Sequence, residues 1–211
     1  MLLALFITFE GGEGCGKSTQ ARALYRRLAE SGISVMLTRE PGGTPLGEQT
    51  RRQLKRARDL PISPLAELFL VAAARAQLVR EAIRPGLERN ITVICDRYTD
   101  STLAYQGYGR GVDLDAIRAV NDIATGGLVP DLVVLLDIPV EVGLARKKAP
   151  GRDRFESAGT AFHQRVRRGY RAMARADRKR WLTVDGTLSV REIQGRIWDR
   201  VAEMRQGESE G

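Results

Sequence analysis

The sequence predicts an α/β fold, a three-layer sandwich in which an open, mostly parallel five-stranded sheet is flanked on both faces by helices. Three observations predict it. Five short apolar runs rich in β-branched residues recur along the 211 residues, and several lack the alternation of a half-exposed strand, as expected of strands buried on both faces. Segments with helical spacing separate these runs. A glycine-rich turn follows the first run and opens the first helix, and loops at the carboxyl ends of such strands are where ligands bind.

Taken in order, the first strand is LALFITF at 3 to 9, followed by the turn GGEGCGKST at 11 to 19. A helix runs from 17 to 30, with Ala21, Leu24, Tyr25 and Leu28 on one face. ISVMLT at 33 to 38 is the second strand, and the glycines of 42 to 47 mark a loop. Ser63-Pro64 supplies an N-cap and a proline at the first helical position of a helix over 63 to 84. ITVIC at 91 to 95 is the third strand. A second glycine-rich loop is expected at 107 to 111, and Asp113 caps a helix over 114 to 124. DLVVLLD at 131 to 137 is the fourth strand, and a third glycine loop follows at 149 to 151. Phe162, Val166, Tyr170 and Met173 stripe another helix, WLTVD at 181 to 185 is the last strand, and Ser189 with Glu192 forms a capping box that opens the final helix. Nothing divides the chain, so residues 1 to 211 read as one domain.

Composition narrows the function classes. A hydrophobic fraction of 43% with 28% charged residues is that of an ordinary folded protein. Two cysteines, Cys15 and Cys95, imply no disulfide framework, and the first apolar stretch ends at Glu10, too short for a span of about 20 residues. Both point to a cytoplasmic protein with no membrane partner. Net charge is +8, but residues 146 to 180 hold 13 of the 34 Lys and Arg and three of the 26 Asp and Glu. That segment carries +10 and leaves −2 for the rest, so the basicity is local.

The turn satisfies G-x4-GK[ST] between a strand and a helix, the context in which the pattern binds phosphate. Its amides, from Gly11, Gly12, Glu13, Gly14, Cys15, Gly16, Lys17, Ser18 and Thr19, are expected to wrap the phosphates of a nucleoside triphosphate at a helix N-terminus. Lys17 neutralises the β and γ phosphates and Ser18 sits on Mg²⁺, with Asp96 after the third strand orienting the metal or its waters. The fold is therefore P-loop NTPase-like. No NKxD-type guanine motif occurs, which argues against a GTP switch.

The segment that follows selects the acceptor. DRYTDSTLAYQGYGRG at 96 to 111 resembles the DRY-xx-S-xx-AYQG-xx-RG signature of bacterial thymidylate kinases. FEGGEGCGKST at 9 to 19, REPGGTPLGE at 39 to 48 and DRFE at 153 to 156 resemble that family's other stretches, in the same order, so the resemblance covers about residues 5 to 185. The chemistry agrees. An acceptor nucleotide brings a nearly dianionic phosphate that must lie in line with the donor, and Arg39 and Arg97, each just past a strand, can supply bidentate forks for it. The resemblance implies transfer of the ATP γ-phosphate to dTMP, giving dTDP and ADP for dTTP synthesis, in a protein that is a homodimer. The helices at 63 to 84 and 114 to 124 are available for that contact. It further implies that Glu13 accepts from the acceptor sugar, that Phe69 stacks on thymine while Arg75 bonds its edge, and that Ser101, Tyr105 and Gln106 line the same site. Helix geometry sets Phe69 and Arg75 about 120° apart around the axis.

The resemblance also implies a lid at about 146 to 156, whose arginines meet charge building on the transferred phosphoryl group. Gly14 stands where some thymidylate kinases keep a basic residue in the loop, so that charge must come from the lid. KKAPGRDRFE is about one residue shorter than the Arg-rich stretch ending GELDR in relatives. Arg152 and Arg154 rank above Arg146 for this catalytic contact, with Lys147 and Lys148 as substitutes, and Arg146 is also assigned to ATP. The rivals are a deoxynucleoside kinase, which needs no arginine pair for an acceptor phosphate, and a nucleic-acid-binding ATPase using the basic segment.

Overall fold

The structure, a computed structural model, describes residues 4–56, 61–146 and 158–207. Five strands, β1 (Phe6–Glu10), β2 (Val35–Arg39), β3 (Thr92–Asp96), β4 (Leu132–Asp137) and β5 (Trp181–Asp185), form one parallel sheet in the order β2-β3-β1-β4-β5. Each lies within about three residues of its apolar run, and the structural shift matters. The strands end on Glu10, Arg39, Asp96, Asp137 and Asp185, so each closes on a polar residue and all five lie at one edge of the sheet. The register pairs Phe9 with Asp96 and Arg39 with Asp96, which gathers the ends of β1, β2 and β3.

Strand side chains alternate between two buried faces. Ile7, Phe9, Ile94, Val134 and Leu136 pack with Leu24 and Leu28 of helix α1 (Lys17–Glu30) and Ile193, Ile197 and Val201 of α9 (Val190–Gly207). On the opposite face Phe6, Val93 and Cys95 pack with Leu78, Ile83 and Tyr98, while Val133 and Leu135 meet Phe162, Val166 and Tyr170 of α8 (Gly159–Ala176). The expected caps are in place. Ser63 accepts from the Ala66 amide at 3.2 Å ahead of α3 (Pro64–Leu78), and Asp113 accepts from Ala116 at 2.8 Å ahead of α6 (Leu114–Thr125). Ser189 and Glu192 exchange their reciprocal bonds.

Three features depart from the expectations. The helix expected over 63 to 84 runs on from α3 through a π-helical turn, Val79–Ile83, into α4 (Arg84–Glu88). The stretch 42 to 47 is a loop only at its start, because α2 (Pro45–Arg56) begins inside it. The loop expected at 107 to 111 is helical as far as Gly109, as α5 (Thr99–Thr102) passes into a π-helical segment, Leu103–Gly109. Its glycines serve packing. A β-carbon on Gly107 would sit 2.4 Å from Leu114, and one on Gly109 2.6 Å from the Phe162 ring. A short helix, α7 (Val140–Arg146), follows β4. Among the described residues no helix is long and apolar enough to cross a membrane.

Candidate active site

The glycine turn lies between β1 and α1, with left-handed backbone at Gly14 (φ +69°) and Gly16 (φ +97°). Gly14 is closed to other residues on two counts, since a β-carbon there would also lie 2.0 Å from the Gly143 carbonyl of α7. Lys17, almost fully buried, donates to the carbonyls of Gly11 at 2.9 Å and Gly12 at 2.8 Å and approaches the Cys15 sulfur at 3.4 Å. Its ammonium is thus held at the rim of the turn. Ser18 hydrogen-bonds to Asp96, so a hydroxyl and a carboxylate converge at the same mouth. Two oxygen donors suit Mg²⁺, which keeps most of its shell for water and phosphate.

Two neighbouring hollows at the sheet edge share a wall. The loop-side cavity is lined by Lys17, Ser18, Thr19, Arg39, Asp96 and Arg146. The inner recess is lined by Pro41, Val71, Arg75, Ser101, Tyr105 and Gln106. Glu13, Glu40, Arg51 and Arg97 belong to both and form the wall between them.

Arg97 is the centre of that wall. It follows β3 with a left-handed backbone, φ +75°, which is uncommon for a residue with a side chain. One guanidinium nitrogen donates to Glu13 at 2.7 Å and Tyr105 at 3.1 Å, and the other to Gly11 O, Ser101 and Tyr170 at 3.2 to 3.3 Å. Burial opposes its charge, but Tyr105, Glu13, Tyr170 and Asp96 outweigh burial and push its pKa well above the ordinary value. It stays a cation at any working pH. Tyr105 also donates to Glu13 at 2.7 Å and packs edge-on against Phe162 and Tyr170.

Beneath the wall lie buried polar groups. The Glu10 carboxylate accepts from the Tyr98 amide at 2.8 Å, Ser101 at 2.6 Å and Tyr170 at 2.8 Å. Burial raises its pKa, against the pull of Ser101, Arg97, Tyr170 and the Tyr98 amide. Arg75, 1% exposed, is committed to Glu40 at 2.6 Å, Asn121 at 2.6 Å and the Tyr98 carbonyl at 3.0 Å. Gln106 gives its amide hydrogen to Glu67 at 2.7 Å.

The expected residues are mostly assembled here. The turn, Lys17, Ser18 and Asp96 meet at one mouth, and Glu13, Arg75, Arg97, Ser101, Tyr105 and Gln106 surround the recess. Arg146 reaches the loop-side cavity and donates to Gly186 O at 3.0 Å. Arg39 lines that cavity but is 52% exposed and paired with Glu48 at 2.9 Å, so it is not part of the inner wall. Phe69, expected at the base, instead lines neither hollow and is 54% exposed on the outside of α3. Six residues from Arg75 is the wrong spacing for a shared face; Val71, four residues away, takes that place in the recess. Lys147, Lys148, Arg152 and Arg154 lie outside the described residues.

Arg51 is the residue that sequence reasoning missed. It lines both hollows, donates to Pro41 O at 3.1 Å, and is held below its ordinary pKa by burial and by the neighbouring guanidiniums of Arg39 and Arg97. Continuing α2 from Pro45 would have found it, because Gly47, Glu48 and Arg51 share a helical face.

A family model described as Thymidylate kinase matches residues 9–197. The chain belongs to the thymidylate kinase family. A thymidylate kinase of Dehalococcoides mccartyi is 53% identical over 199 residues, covering 94% of this chain and 96% of that protein. Another, of Thermomicrobium roseum, is 51% identical over 208 residues, covering 97% and 98%. The crystal structure of thymidylate kinase from Ehrlichia chaffeensis superposes with a TM-score of 0.77 at 32% identity, covering 94% of this chain and 99% of that one. The match spans the glycine turn, the Arg97 wall and the recess, so the thymidylate kinase likeness covers every group that forms the two hollows.

Proposed function

We infer that the chain transfers the γ-phosphoryl group of ATP to dTMP, releasing ADP and dTDP for dTTP synthesis. The observation that carries this reading is the wall of Arg97, Arg51 and Glu13 between two hollows. A cation at that wall offsets the repulsion between two phosphate groups brought end to end, which is most of what phosphoryl transfer asks of a protein.

ATP takes the loop-side cavity, with turn amides and Lys17 on its phosphates and Arg146 beside it. dTMP takes the inner recess. Arg97, with Arg51 behind it and Arg39 at the outer edge, holds the acceptor phosphate, and Glu13 accepts from the sugar 3'-hydroxyl. Tyr105, packed between Arg97 and Phe162, closes the sugar side against a 2'-hydroxyl. Gln106 has its amide hydrogen on Glu67, so its carbonyl is the group for the base N–H, beside Val71, Ser101 and Arg75. Ser18 and Asp96 would hold Mg²⁺, which neutralises charge on the donor phosphates when bound. The lid arginines, Arg152 and Arg154 first, close over the transferred group and exclude water.

The protein is further proposed to be a cytoplasmic homodimer. Both cysteines are free and buried, and Leu65, Phe69 and Ala73 of α3 with Ile123 of α6 present apolar side chains outward from two packed helices. A coupled ADP-release assay over dTMP, dUMP, dCMP, AMP and thymidine tests the central reading. Preference for dTMP is expected, and preference for AMP or for unphosphorylated thymidine would refute it.

A further inference from the structure

We propose that Glu10 is the positioning residue for Arg97, a buried carboxylate that fixes both the backbone turn and the aim of the guanidinium at the acceptor phosphate. This rests on the reading of Arg97 given above.

The placement follows from the sheet. Phe9 pairs with Asp96 across β1 and β3, so Glu10 stands opposite Arg97 at the strand ends. Its first oxygen accepts from the Tyr98 amide at 2.8 Å, and the Arg97 amide donates to Phe9 O at 3.0 Å. The two peptide N–H groups flanking the left-handed Arg97 are therefore both tied to β1, which holds a backbone state that a side-chain-bearing residue otherwise avoids.

The second oxygen sets the side chain. Ser101 and Tyr170 both lie within donating distance of it, at 2.6 and 2.8 Å, and 2.9 Å from each other. The ionised carboxylate, with the Arg97 cation beside it, has no hydrogen to give, so both hydroxyls direct theirs to it and turn lone pairs outward. Those lone pairs receive the Arg97 guanidinium, at 3.2 Å from Ser101 and 3.3 Å from Tyr170. The chain of polarity runs in one direction, from Arg97 through two hydroxyls to Glu10. An amide of the same shape cannot reproduce it. With its NH₂ toward Ser101 and Tyr170, the hydroxyl hydrogens are released toward Arg97; with the NH₂ toward Tyr98, two donors face each other.

The test is the ratio of dTMP to thymidine affinity, measured by titration calorimetry, with ADP affinity as the control for the turn. Glu10→Gln is expected to cut the dTMP advantage about tenfold to a hundredfold, the scale of a charge-assisted hydrogen bond, while thymidine and ADP affinities stay unchanged. In an Arg97→Ala background the same substitution should have no further effect on the ratio. If Glu10→Gln does not fold, Tyr170→Phe removes one relay hydroxyl. It should lower the ratio severalfold and likewise be silent without Arg97. Equal losses of dTMP and thymidine binding, or an undiminished effect in the Arg97→Ala background, would overturn the proposal. An Arg97→Ala protein that keeps its full dTMP preference would instead refute the reading of Arg97 itself.

Discussion

The two hollows are built on different plans. In the loop-side cavity one continuous stretch, residues 11 to 19, supplies the turn, with Lys17 bonded to Gly11 and Gly12 a few positions away, and Arg39, Asp96 and Arg146 add to the lining. The inner recess is assembled from distant segments. Arg75 meets Glu40 and Asn121, Gln106 meets Glu67, and Glu10 meets Tyr170 across 160 positions. A local cradle binds what many proteins bind, a polyphosphate. A recess whose polar groups depend on the whole fold can afford a choice of acceptor, and its chemistry is tied to stability.

Lys17→Ala is the most damaging single change expected. It removes the cation at the turn without touching the recess, so kcat should fall at least about 10²- to 10³-fold while dTMP binding persists in calorimetry. Lost dTMP binding would mean that the two hollows are not separable. Glu40→Gln attacks the other side, leaving Arg75 buried with an impaired partner. A loss on the scale of a broken buried pair, about 3–5 kcal/mol, would lower Tm by roughly 10 °C, with acceptor binding failing before ADP binding. A melting temperature unchanged within a degree would show that the network beneath the recess does not support the fold.

Two buried acids, Glu40 of the wall and Asp100 of α5, should also make stability fall as pH rises. Burial first, and the nearby Glu10 carboxylate, push Asp100 from its ordinary 3.8 to about 7; burial likewise lifts Glu40 from 4.5 to about 6, against the pull of Arg75. Both acids prefer protonation when folded. The stability they contribute is complete below their unfolded pKa values and is lost as pH climbs through about 6 and about 7. Tm should drop by several degrees between pH 5 and 8, and Asp100→Asn should flatten part of that slope. A Tm rising over that range would reverse the sign and contradict the burial argument. The smallest effect belongs to Phe69→Ser, outside both hollows, which should change kcat/KM for dTMP less than about twofold and stability by at most about 0.5 kcal/mol. Sedimentation would then show whether the outward face of α3 holds a second copy. A large rise in KM for dTMP would return Phe69 to the base site.

What the sequence made legible follows the same division. The strands, the capped helices and the glycine turn rest on local patterns, and each begins within about three residues of where its pattern put it. Phe69 lies outside the recess because six residues turn it off the Arg75 face, whereas the four-residue step to Arg75 selects Val71. Arg51 carries no such signal because the glycines of 42 to 47, which read as a loop, mask the start of α2; they allow the close packing of Gly47 on Gly42. Glu10 carries no local signal, since its partners Tyr98, Ser101 and Tyr170 come together only once β1, β3 and α8 are packed.

Arg97 is the group proposed to recognise the acceptor's phosphate, and the other roles depend on it. Titrating dTMP and thymidine into the Arg97→Ala protein, with ADP already bound, tests this most directly. dTMP affinity should fall to that of thymidine while ADP binding is retained. dTMP binding as tight as in the unaltered protein would contradict the account.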